Sequence, residues 1–197
     1  AEAFDREQCQ VTVTGLTDDD VRKFDASGMN AAQLDVTDAD SVASLLSRMD
    51  QLDVLVNCAG IIKRDGLEHE IDGFLKVIEV NLSGTARMCY ACHPLLLESK
   101  GSVVNVASML SIFGSGFVPA YSSSKGGIAQ FTKSLAIAWA PDQVRVNAIA
   151  PGWIETDLTR QLVDNPEKSK PLIDRTPMGR WGQPEDVSGA AVFLSSA

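Results

Sequence analysis

No apolar run in this 197-residue sequence reaches the ~18 residues a membrane-spanning helix needs. The opening residues, AEAFDREQ, are no signal peptide, so a soluble cytoplasmic protein is expected. Basic residues are scarce: 17 Lys and Arg face 26 Asp and Glu, for a net charge of −9. They form no cluster able to track a phosphate backbone, which argues against nucleic acid as a partner. The acidic balance reads as solubility. Cysteine is sparse too, and Cys9, Cys58, Cys89 and Cys92 do not make a disulfide framework in a chain of this length. Histidine is limited to His69 and His93. Cys89-Tyr90-Ala91-Cys92-His93 spells a haem-attachment motif, and a bare Cys-x-x-Cys can also read as redox or zinc. It lies, however, inside a long helical pattern (Phe74, Val77, Ile78, Leu82, Met88, Leu95, Leu96, Leu97) and there is no second Cys pair. The thiols therefore read as small buried groups on a packing helix, and no metal is expected. There is no internal repeat and no low-complexity tract.

What is present fits one well-cored α/β domain, 45% hydrophobic. Residues 1–8 read as the closing turns of a helix. Residues 10–14 (QVTVT) form a strand ended by Gly15, and Asp18-Asp19-Asp20 opens a helix with carboxylates where its N-terminal dipole favours them. Residues 31–36 are the next strand, and Asp38 caps a helix to about Met49. An apolar strand at 52–56 closes on Asn57-Cys58-Ala59-Gly60. A long helix follows over 71–97, with an irregularity expected at 81–84, then a strand at 102–107 behind the helix-stop residue Gly101. A helix at 120–139, a strand at 144–150 ended by Pro151-Gly152, a polar stretch at 155–183 reading as a short helix pair or mobile flap, and a helix started by Pro184 complete the chain. Strands alternating with helices predict a doubly wound parallel sheet, helices on both faces. Ligands of such sheets bind beyond the strands' carboxyl ends, where Gly15, Asp35, Asn57, Gly60, Ser108 and Pro151-Gly152 all fall.

The stretch 101–125, GSVVNVASMLSIFGSGFVPAYSSSK, organises the rest. Its strand (Val103, Val104, Val106) delivers Ser108, a turn-rich segment follows, and Tyr121 and Lys125 lie four apart on one helix face. A phenol with a pKa near ~10 needs stabilisation on the order of 4 kcal/mol to act as a base near neutrality. One ammonium at ~4 Å in an effective dielectric of ~20 supplies about that much. Ser108 can then hydrogen-bond the substrate oxygen that exchanges its proton with Tyr121, giving a general acid–base site. Ser122-Ser123-Ser124-Lys125 also matches the Ser-x-x-Lys of penicillin-recognising acyl enzymes, but the accompanying Ser-Asp-Asn and Lys-Thr-Gly are absent.

Asn-Cys-Ala-Gly at 57–60, Asn81 in VNLSG, Ser108 thirteen residues before Tyr121, YSSSK, and RVNAIAPGWIETD at 145–157 together resemble the short-chain dehydrogenase/reductase family over nearly the whole chain. The resemblance implies a Rossmann-like, three-layer αβα fold and NAD or NADP as cofactor. It further implies hydride transfer between that cofactor and a secondary alcohol or ketone. Tyr121 would be the acid/base, Lys125 would lower its pKa and hold the nicotinamide ribose, Ser108 would hold the substrate oxygen, and Asn81 would keep a water in the proton relay. Asp35-Val36 would bracket the adenine, and Asn57, Ala59 and Gly60 would lie alongside the cofactor. Pro151, Gly152, Ile154 and Thr156 would line the nicotinamide. Gly15 and Leu16 stand where the family places the residues that choose between NAD and NADP, and neither discriminates; Asp18 and Asp19 would repel a phosphate if they face it, but Gly15 leaves room for one. A homo-oligomer, dimer or tetramer, is expected through the long helix and the Tyr–Lys helix.

The chain also departs from the family's pattern. Two strands precede 57–60 where the family has three, so the first strand with its glycine-rich turn is missing, as is the last strand. The sequence is expected to be a truncated form of a longer protein, with strand edges left open inside the domain. Such a chain should neither bind a dinucleotide normally nor fold cleanly, and the activity is expected of the full-length form. Two alternatives remain. One is a 3-oxoacyl-carrier-protein reductase, for which Lys168, Lys170, Arg175 and Arg180 offer a basic landing patch; the other is a non-catalytic, oligomerising relative. The substrate is not named by the sequence; Met109, Leu110, Ile112, Phe113, Phe117 and Val118 suggest a partly apolar pocket wall.

Overall fold

Five short parallel strands and their crossover helices make up the computed structural model, which describes residues 1–25 and 29–196. In chain order these are α1 (Glu2–Arg6), β1 (Thr12–Gly15), α2 (Asp18–Asp25), β2 (Asn30–Gln33), α3 (Ala39–Leu46) and β3 (Val54–Asn57). A 3-10 turn (Leu67–His69), α4 (Ile71–Ile78), a π-helical turn (Glu79–Ser83), α5 (Gly84–Ser99) and β4 (Ser102–Val106) follow. The chain continues through α6 (Leu110–Phe113), α7 (Pro119–Trp139), β5 (Arg145–Ile149), α8 (Arg160–Val163), α9 (Pro166–Asp174) and α10 (Glu185–Ser195). No helix among the described residues is long and apolar enough to cross a membrane.

The strands form two sheets, β1-β2 and β3-β4-β5, every ladder parallel. α3 packs on α5, α5 lies against β3 and β4, and α7 against β4 and β5, while α2 rests on β1 and β2 and α10 on β4 and β5. No ladder joins β1 to β3 among the described residues, so the break expected mid-sheet is present. One apolar cluster nonetheless runs across it: Leu34, Val42 and Leu45 pack with Leu55, Met88, Cys92, Leu96 and Val103, because α3 lies against α5. The helical layer bridges what the strands do not.

Several local expectations are refined. Asp38 caps α3, accepting from the Asp40 N–H at 2.9 Å. The irregularity expected at 81–84 is the π-helical turn, which separates α4 from α5. The helix before β4 ends differently from the sequence reading: Lys100 (φ 53°), not Gly101, takes the left-handed conformation. Gly101 is needed instead for space, since a Cβ there would lie 2.4 Å from the Asp53 carbonyl oxygen. The second strand stops at Gln33, leaving Asp35 in a turn, and the segment after Ser108 holds one helical turn, α6. The stretch 155–183 contains α8 and α9 and is pinned at its base, where Glu155 donates to the Gly182 carbonyl and Gly182 to that of Trp153, each at 2.8 Å.

Candidate active site

The strand end of β4 and the first turns of α7 meet beyond the sheet's carboxyl edge. Ser108 is buried there, its Oγ accepting from the Leu110 N–H at 3.2 Å. Ser111 ties this loop to α7 by donating to the Lys125 carbonyl at 2.7 Å while its Oγ accepts from the Ser108 N–H. The Ser108 hydroxyl lies near enough to the Tyr121 phenol to draw its pKa down. One helical turn further, Lys125 is 4% exposed, with its ammonium 5.6 Å from the centre of the Tyr121 ring. The fold thus brings Ser108, Tyr121 and Lys125 to the same corner of the sheet's carboxyl edge.

Lys125 is held by the Val106 carbonyl at 2.6 Å, its one hydrogen bond among the described residues. An ammonium has three donors, so two are left over in a site that water barely reaches. Burial lowers the Lys125 pKa to about 8. Burial also pushes the Tyr121 phenol up; the Ser108 hydroxyl and the Arg64 guanidinium pull it down, and the Glu68 carboxylate pushes it up again.

Around this centre the other expected residues take distinct places. Asn81, fully buried in the π-helical turn, accepts from the Ile61 N–H at 2.8 Å and donates to the Ile61 carbonyl and to Ser124 Oγ. It thereby clamps the loop leaving β3 to α7. Gly60 sits in that clamp: a Cβ on it would lie 3.4 Å from Asn81 Oδ1 and 3.8 Å from Lys125 Nζ. Ala59 precedes it on the same loop. The side chain of Asn57 is turned inward, donating to Asn105 Oδ1 at 2.9 Å and to Cys89 Sγ. Asp35 accepts from the N–H and hydroxyl of Thr37, which hold its carboxyl below the usual range. Val36 packs against Gly84, and its carbonyl accepts from Arg87. At β1, Gly15 lies against Asp20, where a Cβ would meet Asp20 Cβ at 2.4 Å, while Leu16 is exposed and its carbonyl accepts from Gln33. Beyond β5, the Pro151 carbonyl accepts from the Met109 N–H, and Gly152 faces Met109. The Ile154 carbonyl accepts from Thr159 Oγ1, and that hydroxyl in turn accepts from the exposed Thr156 N–H.

Two charged residues at the site carried no sequence signal. Arg64, four residues past Gly60, reaches across to donate to the Leu158 carbonyl at 2.9 Å and has no ion pair among the described residues. Glu68 is buried against the start of α7. Only their place on the loop leaving β3, beyond a strand's carboxyl end, points to them. By contrast, Cys89 and Cys92 are core groups whose thiols burial pushes up to about 12. Of the basic residues in the flap, Lys170 pairs with Asp174, Arg180 with Asp186, and Arg175 lies over the Trp153 ring.

A parallel αβα sandwich that gathers a serine, a tyrosine and a lysine at its carboxyl edge defines the class: the chain belongs to the short-chain dehydrogenase/reductase family. A family model described as "Enoyl-(Acyl carrier protein) reductase" matches residues 1–197. The chain is similar to 2-dehydro-3-deoxy-D-gluconate 5-dehydrogenase of Bacillus subtilis (strain 168), 42% identical over 159 residues, covering 80% of this chain and 62% of that protein. The enzyme of the same name from Escherichia coli (strain K12) is 38% identical over 170 residues, 83% of this chain and 67% of that one. Among solved structures, a gluconate 5-dehydrogenase from Burkholderia cenocepacia J2315 in complex with NADP and tartrate superposes with a TM-score of 0.89 at 30% identity. That match covers 100% of this chain and 82% of the other.

Proposed function

We propose that this protein, in its full-length form, moves hydride between a nicotinamide cofactor and a secondary alcohol or its ketone, the substrate being a small hydroxy acid. The observation that carries the reading is the convergence of Ser108, Tyr121 and Lys125 in one buried corner. The cofactor, NAD or NADP, accepts or supplies the hydride when bound. The two unused donors of Lys125 suit the hydroxyls of a ribose, and Gly60 leaves space beside them. Asp35 and Val36 would flank the adenine, and Pro151, Gly152, Ile154 and Thr156 the nicotinamide, with Gly15, Leu16, Asn57 and Ala59 along the path between.

In oxidation, Tyr121 takes the proton from the substrate hydroxyl while Ser108 holds the same oxygen; in reduction the proton returns by the same route. Asn81 fixes the Ile61 backbone and, through Ser124, the helix that carries both catalytic groups, and would order a water behind Lys125. An acid substrate is favoured by Arg64, a cation with no ion pair among the described residues whose field reaches Tyr121, and by the gluconate-type names and bound tartrate of the relatives. The 155–183 segment would form a wall over the substrate within a single domain spanning residues 1–197. Exposed Tyr90, Leu97 and Ile137 on α5 and α7 would serve self-association. A carrier-protein reductase is the second reading, favoured by the family model's description. The engaged state of Lys170, Arg175 and Arg180 weakens its basic landing patch.

Replacing Tyr121 with Phe should abolish turnover of NADP(H) or NAD(H) with gluconate-type acids, by about 10²-fold or more. Cofactor affinity in fluorescence titration should be nearly unchanged. Full activity in that variant would refute the assignment.

A further inference from the structure

We propose that Glu68 is a positioning residue for the reaction: its buried carboxylate bridges the N-terminus of α7 to the loop leaving β3 and so fixes where Tyr121 meets the substrate. This rests on the reading of Tyr121 as the acid/base. Glu68 is 1% exposed, in the 3-10 turn before α4. One carboxylate oxygen accepts from the Tyr121 N–H at 2.9 Å and the other from the Lys63 N–H at 2.9 Å. No Lys, Arg or His pairs with it among the described residues, so its partners are backbone amides alone.

The start of α7 shows why an outside carboxylate is used there. The N-cap is Val118, whose side chain accepts nothing, and Pro119 follows with no N–H. The first N–H to find an acceptor at the helix's own N-cap is that of Ser122, to the Val118 carbonyl. Tyr121's N–H therefore belongs to the orphan donors of a helix N-terminus, and a carboxylate there also meets the dipole of a 21-residue helix favourably. Because the bond is to Tyr121's own backbone, a shift of Glu68 moves the residue that carries the phenol. The same 3-10 turn grips the approach to α7 as well, through the contact of His69 Nε2 with the Gly116 carbonyl at 3.1 Å.

The carboxylate also has an electrostatic signature that a simple brace would lack. The groups facing the phenol are Ser108 from the end of β4, Arg64 from the loop after β3, Lys125 from α7, and Glu68. Of these, Glu68 alone raises the phenol's pKa, alongside burial. Taking its charge away should ease ionisation of Tyr121.

The test uses the full-length protein with Glu68→Gln, Glu68→Asp and Tyr121→Phe, measuring NADPH affinity, kcat, KM and the pH dependence of oxidation. Glu68→Gln keeps the volume but turns an NH₂ toward one of two N–H donors. The expected result is a kcat lower by about ten- to a hundredfold, the scale of a misplaced catalytic group. NADPH affinity should hold within about twofold, and the ascending limb of the pH profile should move to lower pH. Should Glu68→Gln not fold, Glu68→Asp, charged but too short to reach both amides, should lose kcat with the pH profile unmoved. A kcat within threefold of the parent in the variant that folds, or in Glu68→Gln a loss with no shift of the pH profile, overturns the proposal. Activity retained in Tyr121→Phe would instead overturn the reading it rests on.

Discussion

Lys125 carries its charge where the surroundings oppose it. Its pKa is lowered to about 8 by burial, against 10.5 for a free lysine, so below pH 8 the folded chain holds the ammonium at an energetic cost. That cost shrinks as pH rises from about 8 towards 10.5. Lys125→Met should therefore stabilise the fold at pH 7 by roughly 2 kcal/mol, after subtracting about 1 kcal/mol for the lost bond to the Val106 carbonyl. At pH 10 the gain should vanish, and activity should be lost throughout. Urea denaturation at the two pH values checks the sign. The pairing of residues 121 and 125 was legible because four residues along a helix is one face. Arg64 and Glu68 were not legible, because their contacts lie 94 and 53 residues away along the chain. Neither spacing nor composition encodes where a loop will touch.

At the scale of elements, the loop after β3 and the helix after it act together. Gly73, inside α4, faces the preceding 3-10 turn so closely that a Cβ would lie 1.9 Å from the Leu67 carbonyl oxygen. That approach folds the turn back and keeps Glu68 inside. Gly73→Ala should destabilise the protein by about 2 kcal/mol or more, and should lower kcat beyond what lost folded protein explains. Denaturant titration and activity per folded molecule separate the two effects. The sequence singles out the apolar positions of this helix and not Gly73, because the close approach that needs a glycine exists only once the turn has folded back. The π-helical turn was better signalled, since Asn81 and Gly84 interrupt an apolar stripe. The buried chain from Asn57 through Asn105 to Thr132, each bond 2.9 Å, was not legible as a chain: Asn57 stood out as a strand-end residue, but its partners on β4 and α7 lie 48 and, one link on, 27 residues away.

At the scale of the molecule, counting strands was enough to foresee a break between β1 and β3. Pairing rules alone did not show that α3 on α5 would carry one apolar core across the break. The same cluster takes in Leu135 and Trp139 of α7, so it also packs the helix that carries Tyr121 and Lys125. The Bacillus subtilis relative is matched over 62% of its length, so the catalytic account is best tested on the full-length protein. The most direct measurement is a crystal structure of that protein with NADP and a gluconate-type acid. The account predicts the hydroxyls of Ser108 and Tyr121 both within about 3 Å of one substrate oxygen, with the Lys125 amine on the ribose. A substrate bound with its reacting oxygen out of reach of Tyr121 would contradict it.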